Sequence, residues 1–180
     1  QPDLNELNSI FRYKGKWNSD FFRNSGPIVL ELGCGKGEYT VALSKEFPKK
    51  NFIGVDIKGA RIWTGATQSF KEKLSNVGFL RTRIDLIYKC FDENEVDEIW
   101  ITFPDPQLKR RRARKRLTHP EFLKKYNMIL KEDGKIHLKT DSQFLHGFTL
   151  GVICGENHIL EDSTKDLYNS DVDREHVNII

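Results

Sequence analysis

Cysteine, histidine and long apolar runs are all scarce in this sequence of 180 residues. The three cysteines, Cys34, Cys90 and Cys154, are odd in number and contain no Cys-x-x-Cys pair. That argues against a disulfide framework or a zinc ribbon and points to free thiols in a reducing cytoplasm. The five histidines, at 119, 137, 146, 158 and 176, include no pair at metal-ligand spacing, so no metal site is expected. The strongest apolar stretch, around Phe148 to Cys154, is far short of the ~20 residues a membrane-spanning helix needs. No Gly-x-Ser-x-Gly elbow occurs, which leaves nucleophilic hydrolysis without support. No secretory leader pattern opens the sequence, and a start at Gln1 rather than Met is expected to reflect trimming.

What is present is a globular composition, 38% apolar and 31% charged, with a length suited to one domain. The formal net charge of +3 hides a separation. Residues 109–116, Lys-Arg-Arg-Arg-Ala-Arg-Lys-Arg, carry +7 without an acid among them, and the remainder carries −4. A local basic patch on an acidic body calls for an anionic partner.

Strand-like and helix-like segments alternate along the chain. Strands are expected at 28–32, 51–56, 77–81, 98–103, 135–140 and near 158–162, and helices over 37–47, 58–74, 119–130 and about 142–154. Strands separated by helices mean βαβ units, so the expected fold is a doubly wound, Rossmann-like α/β domain with a mostly parallel sheet. Ligands in such sheets sit beyond the carboxyl ends of the strands. Those ends hold Glu31 to Gly37, Asp56, Asp85, Phe103 to Pro106, and Thr140-Asp141.

The first of these, Glu31-Leu-Gly33-Cys-Gly35-Lys-Gly37, follows a strand and opens a helix. A pyrophosphate-binding loop would read Gly-x-Gly-x-x-Gly. Here the spacing is Gly-x-Gly-x-Gly, with a carboxylate two residues ahead. That carboxylate repels a pyrophosphate and attracts an ammonium, which S-adenosylmethionine carries together with a cationic sulfonium. Asp56 ends the next strand 19 residues after Gly37, where a carboxylate can accept from both ribose hydroxyls. Asp85 suits either the adenine amino group or a helix N-cap. Phe103-Pro104-Asp105-Pro106 holds a carboxylate on a stiff turn. The basic run follows at once, and without interleaved aromatics it suits a nucleic-acid backbone better than base readout. An NAD-dependent oxidoreductase, an RNA-binding module without a ligand, and a methyltransferase for another RNA base or an amine remain the alternatives.

Taken together, these pieces resemble the bacterial tRNA (guanine-N7)-methyltransferases. The matching stretches are Leu30-Glu-Leu-Gly-Cys-Gly-Lys-Gly37, Gly54-Val-Asp56, Phe103-Pro-Asp-Pro106 with Lys109 and the arginines after it, and Leu138-Lys-Thr-Asp141, within residues 28–145. The resemblance implies S-adenosylmethionine as cofactor, held by Glu31, Gly33, Gly35, Gly37, Asp56, Asp85 and Asp105, with Asp105 also the active-site acid. It implies tRNA as partner, with no metal and no membrane, and a cytoplasmic enzyme. Lys109 and Asp141 match substrate-binding positions, and Arg110, Arg111, Arg112, Arg114, Lys115 and Arg116 are expected on the RNA backbone. Residues 1–27 would be an N-terminal extension and 28–180 the methyltransferase domain. Two departures stand out. Gln107 occupies a position where that family carries Trp. The family's Thr-x-Tyr/Phe-Glu segment and last sheet strand are expected to be missing from these residues.

Overall fold

A computed structural model describes residues 11–166. Its centre is a five-stranded sheet: β1 (Ile28–Leu32), β2 (Asn51–Asp56), β3 (Val77–Arg81), β4 (Val96–Thr102) and β5 (Leu130–Lys139). The order is β3-β2-β1-β4-β5, and every neighbouring pair is parallel. Helices α1 (Glu38–Glu46), α2 (Gly59–Lys71) and α3 (Pro120–Asn127) lie in connections between strands, and α4 (Gln143–Gly155) follows β5. The doubly wound α/β architecture expected from the alternation of segments is therefore the one observed. Strand order reverses between β1 and β4, and at such a reversal the connecting helices diverge and leave a crevice.

Period-two alternation sorts the strand residues onto two faces. On β1, Ile28, Leu30 and Leu32 join the larger core with Ile99 and Ile101 of β4, while Val29 joins Tyr39 and Leu43 of α1, Phe52 and Trp100 in the smaller one. Glu31 shares the α1-side face with Val29, as Glu98 and Thr102 share it with Trp100. On β5, Ile136 and Leu138 pack against the larger core, and His137 stacks on Trp100 with ring centroids 4.2 Å apart. Lys139 thus falls on the α1 side too.

Three segments differ from expectation. β5 begins at Leu130, with its register broken between Val96 and Glu98 of β4, because α3 ends early and Ile129 and Leu130 turn into the core. No strand forms near 158–162. Among the described residues no strand lies beyond β5 to pair with this segment, and Ile159 is 91% exposed. The expected domain limits and His176 reach into residues outside the described ones. Within the described part, the segment ahead of β1 is built into the core. Trp17 donates from Nε1 to the Cys90 carbonyl at 3.0 Å and stacks on Phe91 at 5.2 Å. Glu95 accepts from the backbone N–H groups of Gly15 and Trp17.

All three cysteines are free thiols. Among the described residues no helix is long and apolar enough to cross a membrane, and no cluster of three metal-ligating side chains occurs. Because Trp17 is buried and its N–H is satisfied, Trp17→Ala should cost about 3–5 kcal/mol of stability, measured by urea unfolding. A cost of under about 1 kcal/mol, the range of a surface substitution, would contradict the core assignment.

Candidate active site

The crevice at the carboxyl end of β1 and β4 is lined first by the glycine loop. Gly33, Gly35 and Gly37 all adopt positive φ, at 80°, 57° and 76°, and two of them show different reasons for being glycine. A Cβ on Gly37 would collide with the Phe79 ring, so that position serves helix packing. A Cβ on Gly35 would meet nothing within 4 Å, so its left-handed backbone borders open space that a ligand can approach. The Gly33 and Cys34 N–H groups donate to the Val55 carbonyl at 2.8 and 3.1 Å, which ties the loop to β2.

Asp56, at the end of β2, braces the loop from the other side. Its Oδ2 accepts from Gly35 N–H at 3.0 Å and its Oδ1 from Lys58 N–H at 2.8 Å. Each carboxylate oxygen has a second lone pair, so the group can accept further hydrogen bonds.

Glu31 is 4% exposed. Its carboxylate accepts from the Thr40 hydroxyl on α1 and from the Thr102 hydroxyl on β4, the latter at 2.6 Å. Burial pushes this carboxyl above its ordinary range, and the two hydroxyls draw it back only in part. The anion is therefore costly at this position and gains from a cation placed beside it. Sequence reasoning missed both threonines. Thr102 lies 71 residues from Glu31, and its contribution shows only when β4 is placed beside β1 and its alternation is read from Trp100.

Thr102 leads directly into the Phe-Pro-Asp-Pro turn. Phe103 and Gln107, which bracket it, both take positive φ, at 44° and 47°, a conformation uncommon for residues with a Cβ. Asp105 Oδ1 accepts from Gln107 N–H at 2.9 Å and closes the turn. Phe103 N–H donates to the Lys139 carbonyl at 2.8 Å, which extends the β4–β5 pairing into the turn.

The basic run forms a short 3-10 helix over Arg110–Lys115. Lys109, Arg110, Arg111, Arg112, Arg114 and Lys115 are exposed. Arg116 is not, which corrects its expected place on the RNA backbone. It is 5% exposed and donates to the carbonyls of Pro106 (3.3 Å) and Gln107 (3.1 Å). Phe144 and Phe148 of α4 lie 4.7 and 4.4 Å from its guanidinium carbon. This arginine staples the turn to α4 and has no free face for a phosphate. The phenylalanines four apart on α4 were the available signal.

Asp85 caps no helix. It lies inside the short turn Ile84–Lys89 and accepts from Arg83 at 3.0 and 2.8 Å. That partner holds its carboxyl below the usual range, so a ligand amino group would have to share it with Arg83. Asp141, exposed just beyond β5, precedes the N-cap Ser142 of α4.

Glu31 supplies a pH test. The folded protein keeps the Glu31 proton to higher pH than the unfolded chain does. Its contribution to stability is therefore greatest below the ordinary carboxyl range and is lost as pH rises through the folded value. Glu31→Gln should raise the thermal midpoint at pH 8, and the gain should shrink as pH falls toward about 4. A variant less stable than the wild type at pH 8 would contradict the cost assigned to the buried anion.

Comparison with known proteins places this geometry. A family described as "Putative methyltransferase" matches residues 25–179. A tRNA (guanine-N(7)-)-methyltransferase of Christiangramia forsetii is 56% identical over 172 residues, 95% of this chain and 77% of that protein. One of Porphyromonas gingivalis is 54% identical over 165 residues, 92% of this chain and 67% of that protein. Among solved structures, geranyl diphosphate C-methyltransferase of Streptomyces coelicolor, in complex with S-adenosyl-L-homocysteine, superposes with a TM-score of 0.51 at 15% identity. That match covers 76% of this chain and 52% of the other. The YcgJ protein of Bacillus subtilis gives 0.50 at 20% identity over 68% of this chain and 49% of the other. The structural likeness is one of fold.

Proposed function

Because this chain belongs to the tRNA (guanine-N7)-methyltransferase family, we propose that its crevice serves the transfer of a methyl group from S-adenosylmethionine to N7 of a guanosine in tRNA. The observation that carries the reading is a meeting of parts. The glycine loop follows directly on the buried Glu31, and at the strand-order reversal one hydrogen bond joins that carboxylate to Thr102, the residue before the Phe-Pro-Asp-Pro turn.

The residues fit the cofactor. Gly35 leaves open space for its backbone-facing side, Asp56 has lone pairs for the ribose hydroxyls, and Glu31 offers an anion to the α-ammonium. When bound, S-adenosylmethionine supplies an electrophilic methyl group on a cationic sulfonium. Guanine N7 has a lone pair and no proton, so the chain has no general base to provide. Its task is orientation, with the base held along the line of attack, together with stabilisation of the positive charge that grows on the ring. Asp105 and Asp141, on the turn after β4 and just after β5, carry that role as acceptors for the guanine N1–H and amino groups. Lys109 approaches the substrate from the start of the basic run. Arg110, Arg111, Arg112, Arg114 and Lys115 face the tRNA phosphates, and Arg116 holds the surface that presents them. A tRNA substrate and three free thiols suit the cytoplasm. Residues from 28 onward make one methyltransferase domain, closed at its base by the segment that carries Trp17.

Incubation of the purified protein with unmodified tRNA and methyl-labelled S-adenosylmethionine, followed by nucleoside analysis, should yield 7-methylguanosine. Label in any other nucleoside, or none in RNA, would overturn the reading. Replacing Arg110, Arg111, Arg112 and Arg114 by Ala should weaken tRNA binding and flatten its log–log salt dependence by up to about 0.7–0.9 per lost phosphate contact. An unchanged slope would remove this run from the RNA interface.

A further inference from the structure

The α1 side of the crevice contains a second charged group, Lys139, to which the Leu138-Lys-Thr-Asp141 match assigns no role. Thr40 and Thr102, which clamp Glu31, each have an aromatic neighbour in sequence, Tyr39 and Phe103. The Lys139 ammonium lies between those two rings, 5.3 Å from the Tyr39 centroid and 5.7 Å from that of Phe103. Lys139 ends β5 in register with Thr102, so the same two chain segments hold a carboxylate with their threonines and an ammonium with their rings.

This ammonium has no counterion among the described residues. Lys50, Lys131 and Lys135 pair with Glu98, Asp97 and Glu161, whereas no acid reaches Lys139 and no hydrogen bond satisfies it. Partial burial lowers its proton affinity. Aromatic faces attract a cation but do not accept hydrogen bonds as a carboxylate does. A desolvated cation of this kind has most to gain from an anion placed beside it.

The position of the rings indicates which anion. Tyr39 lies in the first turn of α1, directly after the glycine loop, and Phe103 opens the substrate turn. The anion therefore belongs where the cofactor's amino-acid end meets Glu31. We propose that Lys139 binds the α-carboxylate of S-adenosylmethionine, completing with Glu31 a two-point recognition of the zwitterionic end. The assignment rests on the cofactor reading above. Glu31 and Lys139 form no ion pair with one another, each having its own pair of side-chain neighbours, and the ligand carries the two complementary charges on one carbon.

The test compares S-adenosylhomocysteine with its decarboxylated counterpart by titration calorimetry, on the wild type, Lys139→Met and Lys139→Arg. The wild type should prefer the carboxylate-bearing ligand by about ten-fold or more. Lys139→Met should lose that preference while binding the decarboxylated ligand as the wild type does, and Lys139→Arg should keep part of it. Equal weakening of both ligands would mean that Lys139 supports the fold and would overturn the assignment. Unchanged binding of both with weakened tRNA binding would overturn it in favour of a phosphate. Failure of the wild type to bind S-adenosylhomocysteine at all would refute the cofactor reading, and this assignment with it.

Discussion

A buried carboxylate at the strand-order reversal organises this molecule. Glu31 lies one residue before the end of the central strand, on the face that α1 covers, and it is bonded to α1 through Thr40 and to β4 through Thr102. Taking a charge out of water costs several kcal/mol unless partners compensate, and two hydroxyls compensate only in part. The remaining cost favours the binding of a cationic ligand. The same two bonds set the positions of the neighbouring pieces. The first turn of α1, with the glycine loop ahead of it, and the end of β4, with the Pro-Asp-Pro turn beyond it, are both referred to one side chain. Stability and ligand binding pull in opposite directions at this residue, as they commonly do where a site must hold an unpaired charge.

The charge separation visible along the chain has a structural counterpart. Six cations of the basic run are exposed, five on a short helix after the β4 turn and Lys109 just ahead of it, and the seventh is withdrawn into the protein. Arg116 ties the end of the run to the turn before it. Its guanidinium grips two carbonyls of the turn and lies against Phe144 and Phe148, so the basic surface and the Asp105 turn share one anchor on α4. A patch that brings phosphates to the crevice gains from such an anchor, since orientation of the base relative to the cofactor is the main demand of the chemistry.

Much of this is legible in the sequence. Short apolar runs ending in Gly or Asp located β1 and β2 to the residue, β3 read as strand-like over Val77–Arg81, and the spacing of Gly33, Gly35 and Gly37 with Glu31 and Asp56 outlined the cofactor side. What could not be read depended on strand order. Thr102 and Lys139 become site residues only when β4 and β5 lie beside β1, a fact that local pattern does not contain. Arg116 looked equivalent to its six neighbours because composition treats a charge run as uniform, while its burial is set by two phenylalanines on another helix. The strand expected near 158–162 failed for a related reason. Local apolar character makes a segment suitable for a sheet, but it does not bring the segment alongside a strand edge in a matching register.

The central claim is that Glu31 is an anion held at a cost until a cation arrives. Carbon-13 NMR titration of the Glu31 side-chain carboxyl, with and without S-adenosylhomocysteine, tests it most directly. The account predicts a carboxyl that titrates above the ordinary glutamate range in the free protein and well below that value once the ligand's ammonium is beside it. An identical titration in the two states would contradict it.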